Sequence, residues 1–222
     1  MSDGGGWGDG GELTPRRAAM RRLAEDARVL IEQLAGSDPT DEAIERAAAL
    51  MEQAAAELSG VGGKQRSYEG FAESTIAGGA PHAHFDHSPI IGMANPIAPP
   101  LRVQRYDDRV VALATFGSAY EGPPNSVHGG MVAAAFDELL GMAQSLGGNP
   151  GMTGTLTVKY RKPTPLHREL RFEGTLDRVD GRKLFTSGRC YDGDTLTAEA
   201  EGLFISVDFS KIAAMMTERD NP

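Results

Sequence analysis

Residues 125–143 read NSVHGGMVAAAFDELLGMA. The stretch has helix length, opens on His128-Gly129-Gly130, and carries one acidic pair, Asp137-Glu138, in its middle. No polar side chain interrupts Met131 to Phe136, and Leu139, Leu140, Met142 and Ala143 continue the apolar run. A helix apolar on nearly all sides is a buried one. A carboxylate inside it is costly unless it is partnered or shifted in pKa, and such carboxylates gather at reaction sites. The segment is therefore expected to be both core and chemistry, with Asp137 buried.

Outward from this helix the pattern becomes that of strands. Val103 begins a short one, and Val110 to Phe116 is a second. After the helix come Thr153–Tyr160, Leu170–Arg178, Lys183–Tyr191 and Thr195–Val207, where Leu156 and Val158, then Leu203, Ile205 and Val207, alternate with polar neighbours. Gly181 and Asp192-Gly193-Asp194 mark hairpins. An antiparallel meander of this length buries a long helix only by curling around it, which places the fold in the α+β class.

Residues 1–13, rich in glycine and acid, read as a disordered tail. Residues 14–63 read as a helical hairpin extension. Its first helix starts at Pro15, carries a stripe of Ala19, Leu23, Ala27, Leu30 and Leu34 with arginines outside it, and stops near Gly36. Asp38-Pro39 is the expected cap of a second helix with Ile44, Met51 and Leu58 at heptad spacing beside Ala47, Ala48, Ala54 and Ala55, ending at Gly60–Gly63. The pair has too little apolar area to fold alone, so the stripe is expected to pack on the main domain or on a partner subunit. Residues 64–100 form an irregular, proline-rich connection, 101–208 the main domain, and 209–222 a C-terminal tail.

The 222 residues carry a net charge of −9, which argues against broad nucleic-acid binding. No run approaches the roughly 20 apolar residues of a membrane span. The single Cys190 and the lack of a secretory signal pattern point to the cytoplasm. Lys159, Arg161 and Lys162, with Arg182 and Lys183, are basic clusters suited to an anionic ligand. His82, His84, Asp86 and His87 fall in a Pro/Gly-rich loop without the spacing that fixes coordination, so no metal site is assigned there. No cofactor is expected.

Taken together, this order of elements with VHGG at 127–130, an acid nine positions after the histidine, Thr153 on the next strand, and YRKP at 160–163 followed by GRK at 181–183 resembles the hotdog-fold acyl-CoA thioesterases. The approach EGPPNSVHGG resembles the branch containing the long-chain acyl-CoA thioesterases of the PaaI-like superfamily. The resemblance implies a central helix wrapped by a curved antiparallel sheet, and hydrolysis of acyl-CoA, of medium to long chain, to free acid and CoA. It implies Asp137 as general base or nucleophile, Gly129 and Gly130 as backbone donors to the thioester oxygen, His128 as a group that orients the turn or polarises the carbonyl, and Thr153 as the hydroxyl that positions water or the carboxylate. Asn125 and the two basic clusters are the implied substrate contacts. Some relatives carry a side-chain amide six residues before the histidine, where this chain has Gly122. Glu138 is expected to be solvated or to act from behind Asp137. An enoyl-thioester hydratase and a non-catalytic acyl-CoA-binding protein are the alternatives on the same fold.

His128 and Asp137 lie nine residues apart, about 13.5 Å along a helix and half a turn out of phase. They cannot serve one site on one helix. In the family two hotdogs pair with antiparallel helices, so the resemblance implies a homodimer with composite sites; association of two dimers is left open.

Overall fold

The computed structural model of the chain describes residues 14–59, 86–148 and 151–207. The expected tails, the Gly60–Gly63 stop, and His82 and His84 lie outside the described residues. Two N-terminal helices, α1 (Pro15–Gly36) and α2 (Asp41–Leu58), precede β1 (Arg102–Arg105) and β2 (Val110–Thr115). A 3-10 turn at Ser118–Tyr120 leads to the central helix α3 (Gly129–Gln144), followed by β3 (Gly151–Tyr160), β4 (Glu169–Asp180), β5 (Lys183–Asp192) and β6 (Thr195–Ser206). All six strands pair antiparallel in the order β1-β2-β4-β5-β6-β3. Consequently β3, although first after the helix in sequence, forms the far edge of the sheet. The hairpins at Gly181 and Gly193 turn through left-handed glycines, each at φ 57°.

The helix sits in the sheet because three strands leave it space. Gly174 on β4, Gly188 on β5 and Gly202 on β6 lie under α3, and a Cβ at Gly188 would stand 3.1 Å from the Phe136 ring. At Gly174 it would stand 3.1 Å from Leu139, and at Gly202 3.3 Å from Leu140. Gly174 and Gly188 are register partners, so the gap is continuous across two strands. Phe136, Leu139 and Leu140 fill it and are fully buried, with Phe136 edge-on to Phe172 at 5.3 Å. Cys190, also buried in β5, has its thiol pushed up to about 11 by burial and is unreactive.

The N-terminal helices form where expected but pack otherwise. Thr40, not Asp38, caps α2, its hydroxyl accepting from the Ala43 N–H at 3.3 Å; Pro39 stays in the connection. The two helices do not pack along one another, and on α2 only Ala43 and Ala47 are even partly covered. The helix α1 rests on the domain by its polar face. Arg17 and Arg21 bond the buried Asp86 at 2.5 and 2.7 Å, Arg28 donates to the carbonyls of Asn95 and Met93, and Glu32 accepts from the Ser118 N–H and hydroxyl. Burial alone would raise the Asp86 carboxyl, but the hydrogen bonds and charges of the two arginines hold it below its ordinary value. These bonds take the face that the arginine spacing defines, so the expected stripe on Leu23, Leu30 and Leu34 points outward instead of into the domain.

Because the glycine gap sets how closely helix and sheet approach, Gly188→Val should overpack the Phe136 ring and lower stability by about 1–3 kcal/mol. Urea unfolding reads this directly; a midpoint equal to that of the parent chain would contradict it.

Candidate active site

The loop before α3 is shaped by close backbone contacts. A turn through Asn125, left-handed at φ 57°, is held by its N–H donating to the Glu121 carboxylate at 2.6 Å. The chain then returns so that the His128 N–H donates to the Tyr120 carbonyl and the Val127 N–H to that of Thr164. At Gly122 a Cβ would stand 2.7 Å from the His128 Cα. No side chain fits there, which is the physical reason this chain lacks an amide at that position. The Asn125 side chain is exposed and makes no hydrogen bond among the described residues.

His128 caps α3. Its Nδ1 accepts from the Gly130 N–H at 3.0 Å, so a neutral ring carries its proton on Nε2. That bond occupies one of the two backbone donors expected for the thioester oxygen. The Gly129 N–H has no acceptor among the described residues, and the Tyr160 hydroxyl fixes this residue by donating to its carbonyl at 2.7 Å. The geometry thus leaves Gly129 as the open donor at the positive end of the helix. Tyr160 went unassigned in sequence although it stands inside the YRKP motif.

At the other end of the site, the Thr153 hydroxyl donates to Asp137 Oδ1 at 2.8 Å. Both groups are exposed at the β3 edge. The expectation of a buried Asp137 therefore fails for the single chain: α3 turns this position toward the open sheet edge and half-buries its neighbour. The Ser88 hydroxyl lies 3.5 Å from the carboxylate of Glu138, which thus stands behind Asp137 rather than fully in solvent. Burial, reinforced by the Asp137 charge, pushes its carboxyl up to about 7.

The basic clusters stand apart. Lys159 and Arg161 are bonded to Glu201 and Glu199 of β6, each at 2.7 Å. Arg182 donates to the Ser206 carbonyl, while Lys162 and Lys183 make no ion pair among the described residues. In the register, Lys159 is opposite Glu199 and Lys183 opposite Ile205, roughly 20 Å apart along β6. One cluster accompanies the glycine turn, the other the Thr153–Asp137 pair. Asp86, bound by the two arginines, is no free metal ligand, and the described residues contain no His/Cys/Asp/Glu group suited to a metal.

A helix-wrapping antiparallel sheet with a glycine-capped helix start and a hydroxyl-held carboxylate defines a hotdog protein. The Thioesterase superfamily model matches residues 124–199. A crystal structure described as a thioesterase superfamily protein is 31% identical, covers 90% of this chain and 93% of its own, and superposes with a TM-score of 0.74. The chain belongs to the thioesterase superfamily. Among proteins of known name it is 38% identical over 107 residues to the acyl-coenzyme A thioesterase THEM4 of Bos taurus, covering 47% of this chain and 44% of that one. It is 29% identical over 103 residues to the human acyl-coenzyme A thioesterase THEM5, covering 46% of this chain and 42% of that one. The chain thus spans less than half the length of these relatives.

An unfolded glutamate releases its proton near 4.5, whereas folded Glu138 keeps it to about 7. Between those values the folded state binds the extra proton, so stability falls as pH rises through the window. Glu138→Gln should flatten that fall and exceed the parent chain in stability at pH 8. Urea midpoints at pH 5 and 8 test this; the same fall in both proteins would contradict it.

Proposed function

We propose that the chain hydrolyses acyl-CoA thioesters to a free acid and CoA, at two sites each built by two copies. The observation that carries this reading is the Thr153–Asp137 bond at the open β3 edge, with the unoccupied Gly129 N–H at the other end of the same helix. Pairing two β3 edges about a two-fold axis sets the Asp137 of one copy near the glycine turn of the other. The Gly129 N–H and the helix dipole stabilise the oxyanion that forms as the carbonyl is attacked. Asp137 supplies the attack, by taking a proton from water or by adding to the carbonyl itself; the C–S bond then breaks and CoA leaves as thiolate, and in the second route water hydrolyses the resulting anhydride to release the acid and restore the carboxylate. Thr153 holds the carboxylate in its reactive orientation, and His128 sets the turn.

The same pairing brings the Lys159–Lys162 end of one copy to the Arg182–Lys183 end of the other, so the two separated clusters converge beside one site. Lys162 and Lys183, unpaired among the described residues, are the cations suited to the CoA phosphates; Lys159 and Arg161 are already matched by Glu201 and Glu199. The small, half-buried Ala133 and Ala134 are where a fatty acyl chain of medium to long length would lie along the helix, while Ala135 belongs to the core. No helix among the described residues is long and apolar enough to cross a membrane. Action in the cytoplasm is part of the same reading and rests on composition.

Asp137→Ala should lower turnover of acyl-CoA by about 10²–10⁴-fold while leaving the mass of the assembly unchanged. The measurement is free-thiol release from a panel of esters from acetyl to palmitoyl, with light scattering as control. Retained turnover on the best substrate would sink the assignment.

A further inference from the structure

The polar-face docking of α1 leaves a regular apolar seam exposed. Met20, Leu23, Ala27, Leu30 and Leu34 recur at three- and four-residue steps, the a/d pattern of a helix that pairs with another helix. Leu23, Leu30 and Leu34 are 40%, 38% and 72% exposed. The helix cannot roll to bury them without breaking the bonds of Arg17, Arg21, Arg28 and Glu32 to the domain. On α2 the same pattern recurs as Ile44, Ala47, Met51, Ala54 and Leu58, and its three large members are all exposed. An 18-residue helix that, among the described residues, covers only parts of Ala43 and Ala47 is marginal in water by itself, so a partner on its apolar seam would stabilise α2.

We propose that α1 and α2 are an interaction surface for a second copy of this chain, with the α1 seam of one copy taking the α2 seam of the other in antiparallel pairing. Four features favour this occupant. The seams are complementary in size, since leucines dominate on α1 where α2 alternates large residues with alanine. Charge favours one end of the pairing: α2 carries Asp41, Glu42, Glu45, Glu52 and Glu57 against one Arg46, and antiparallel pairing with Met51 opposite Ala27 brings Glu57 within a turn of the exposed Arg22. The connection is extended at both Ser37 (ψ 164°) and Thr40 (ψ 157°), and Pro39 holds Asp38 away from helical backbone, so α2 is carried off its own α1. Helices of 22 and 18 residues are roughly 33 and 27 Å long. At a width of ~10 Å, two reciprocal seams approach the ~1,000 Å² that a stable interface needs.

The copy met here differs from the one met across β3. The contacts of α1 lie on the 86–95 segment and at the 3-10 turn that follows β2, and β2 is four strands removed from the β3 edge. The extension therefore joins assemblies that the sheet edge has already formed. The proposal does not depend on the proposed hydrolysis.

Sedimentation velocity on the full chain tests it. The variant Leu23→Glu/Leu30→Glu/Met51→Glu should show half the mass of the parent protein while keeping its cooperative unfolding; an unchanged mass overturns the proposal. A second measurement stands if that variant folds poorly. Chains carrying Leu30→Cys and chains carrying Ala47→Cys, which face one another when the leucines of α1 meet the alanines of α2, coexpressed and oxidised, should form a covalent dimer with one chain of each kind. Closure only within a single chain carrying both cysteines, or no closure in either case, overturns the proposal.

Discussion

The contact on which the rest of the molecule depends is the seating of α3 in the gap left by Gly174, Gly188 and Gly202. Side chains at these positions would push the helix away from the sheet, and Phe136, Leu139 and Leu140 would lose their cover. With the helix pressed into the concave face, its remaining sides acquire fixed assignments. One side brings Glu138, half-buried, to Ser88, another goes to the β3 edge and exposes Asp137. Adjacent carboxylates thereby receive opposite environments: one is held by a threonine hydroxyl at an open edge, the other is kept protonated to about pH 7.

The same seating separates the chemistry along the helix axis. The glycine turn is locked by His128 at one end and by Tyr160 from β3, and the carboxylate stands about 13.5 Å further on, on the opposite face. Neither end holds both a donor for an oxyanion and an acid. In the proposed reading the chain holds every group the thioester hydrolysis needs, but a single copy does not assemble them. The unpaired edge of β3 is where two copies complete one another in the proposed reading, and the outward seam of α1 is where a further copy docks.

Much of the fold was legible because periodicity and turn residues are local signals. The strand expected at Lys183–Tyr191 forms at Lys183–Asp192, and Pro15 opens α1 as expected. The Thr153–Asp137 bond agrees with one of the two roles that the family resemblance implied for Thr153, holding the carboxylate rather than water. What could not be read locally was which face each helix presents. On α1 the apolar stripe looked like the buried face, yet four charged side chains find partners some 65 to 86 residues away and turn that stripe outward. On α3, apolar content fixed burial of the helix but not which of two neighbouring acids meets solvent. The separate fates of Gly129 and Gly130 were likewise hidden, because they depend on the rotamer of His128.

The central claim is that each site takes its glycine turn from one copy and its carboxylate from another. Coexpression of an Asp137→Asn chain with a Gly129→Val chain tests it directly, since the first loses the carboxylate and in the second a branched side chain crowds Tyr160 and obstructs the turn that presents the Gly129 N–H. A dimer of the two kinds restores one of its two sites, so an equal mixture should regain about a quarter of the parent acyl-CoA turnover. Turnover no greater than the sum of the two separate variants would contradict the account.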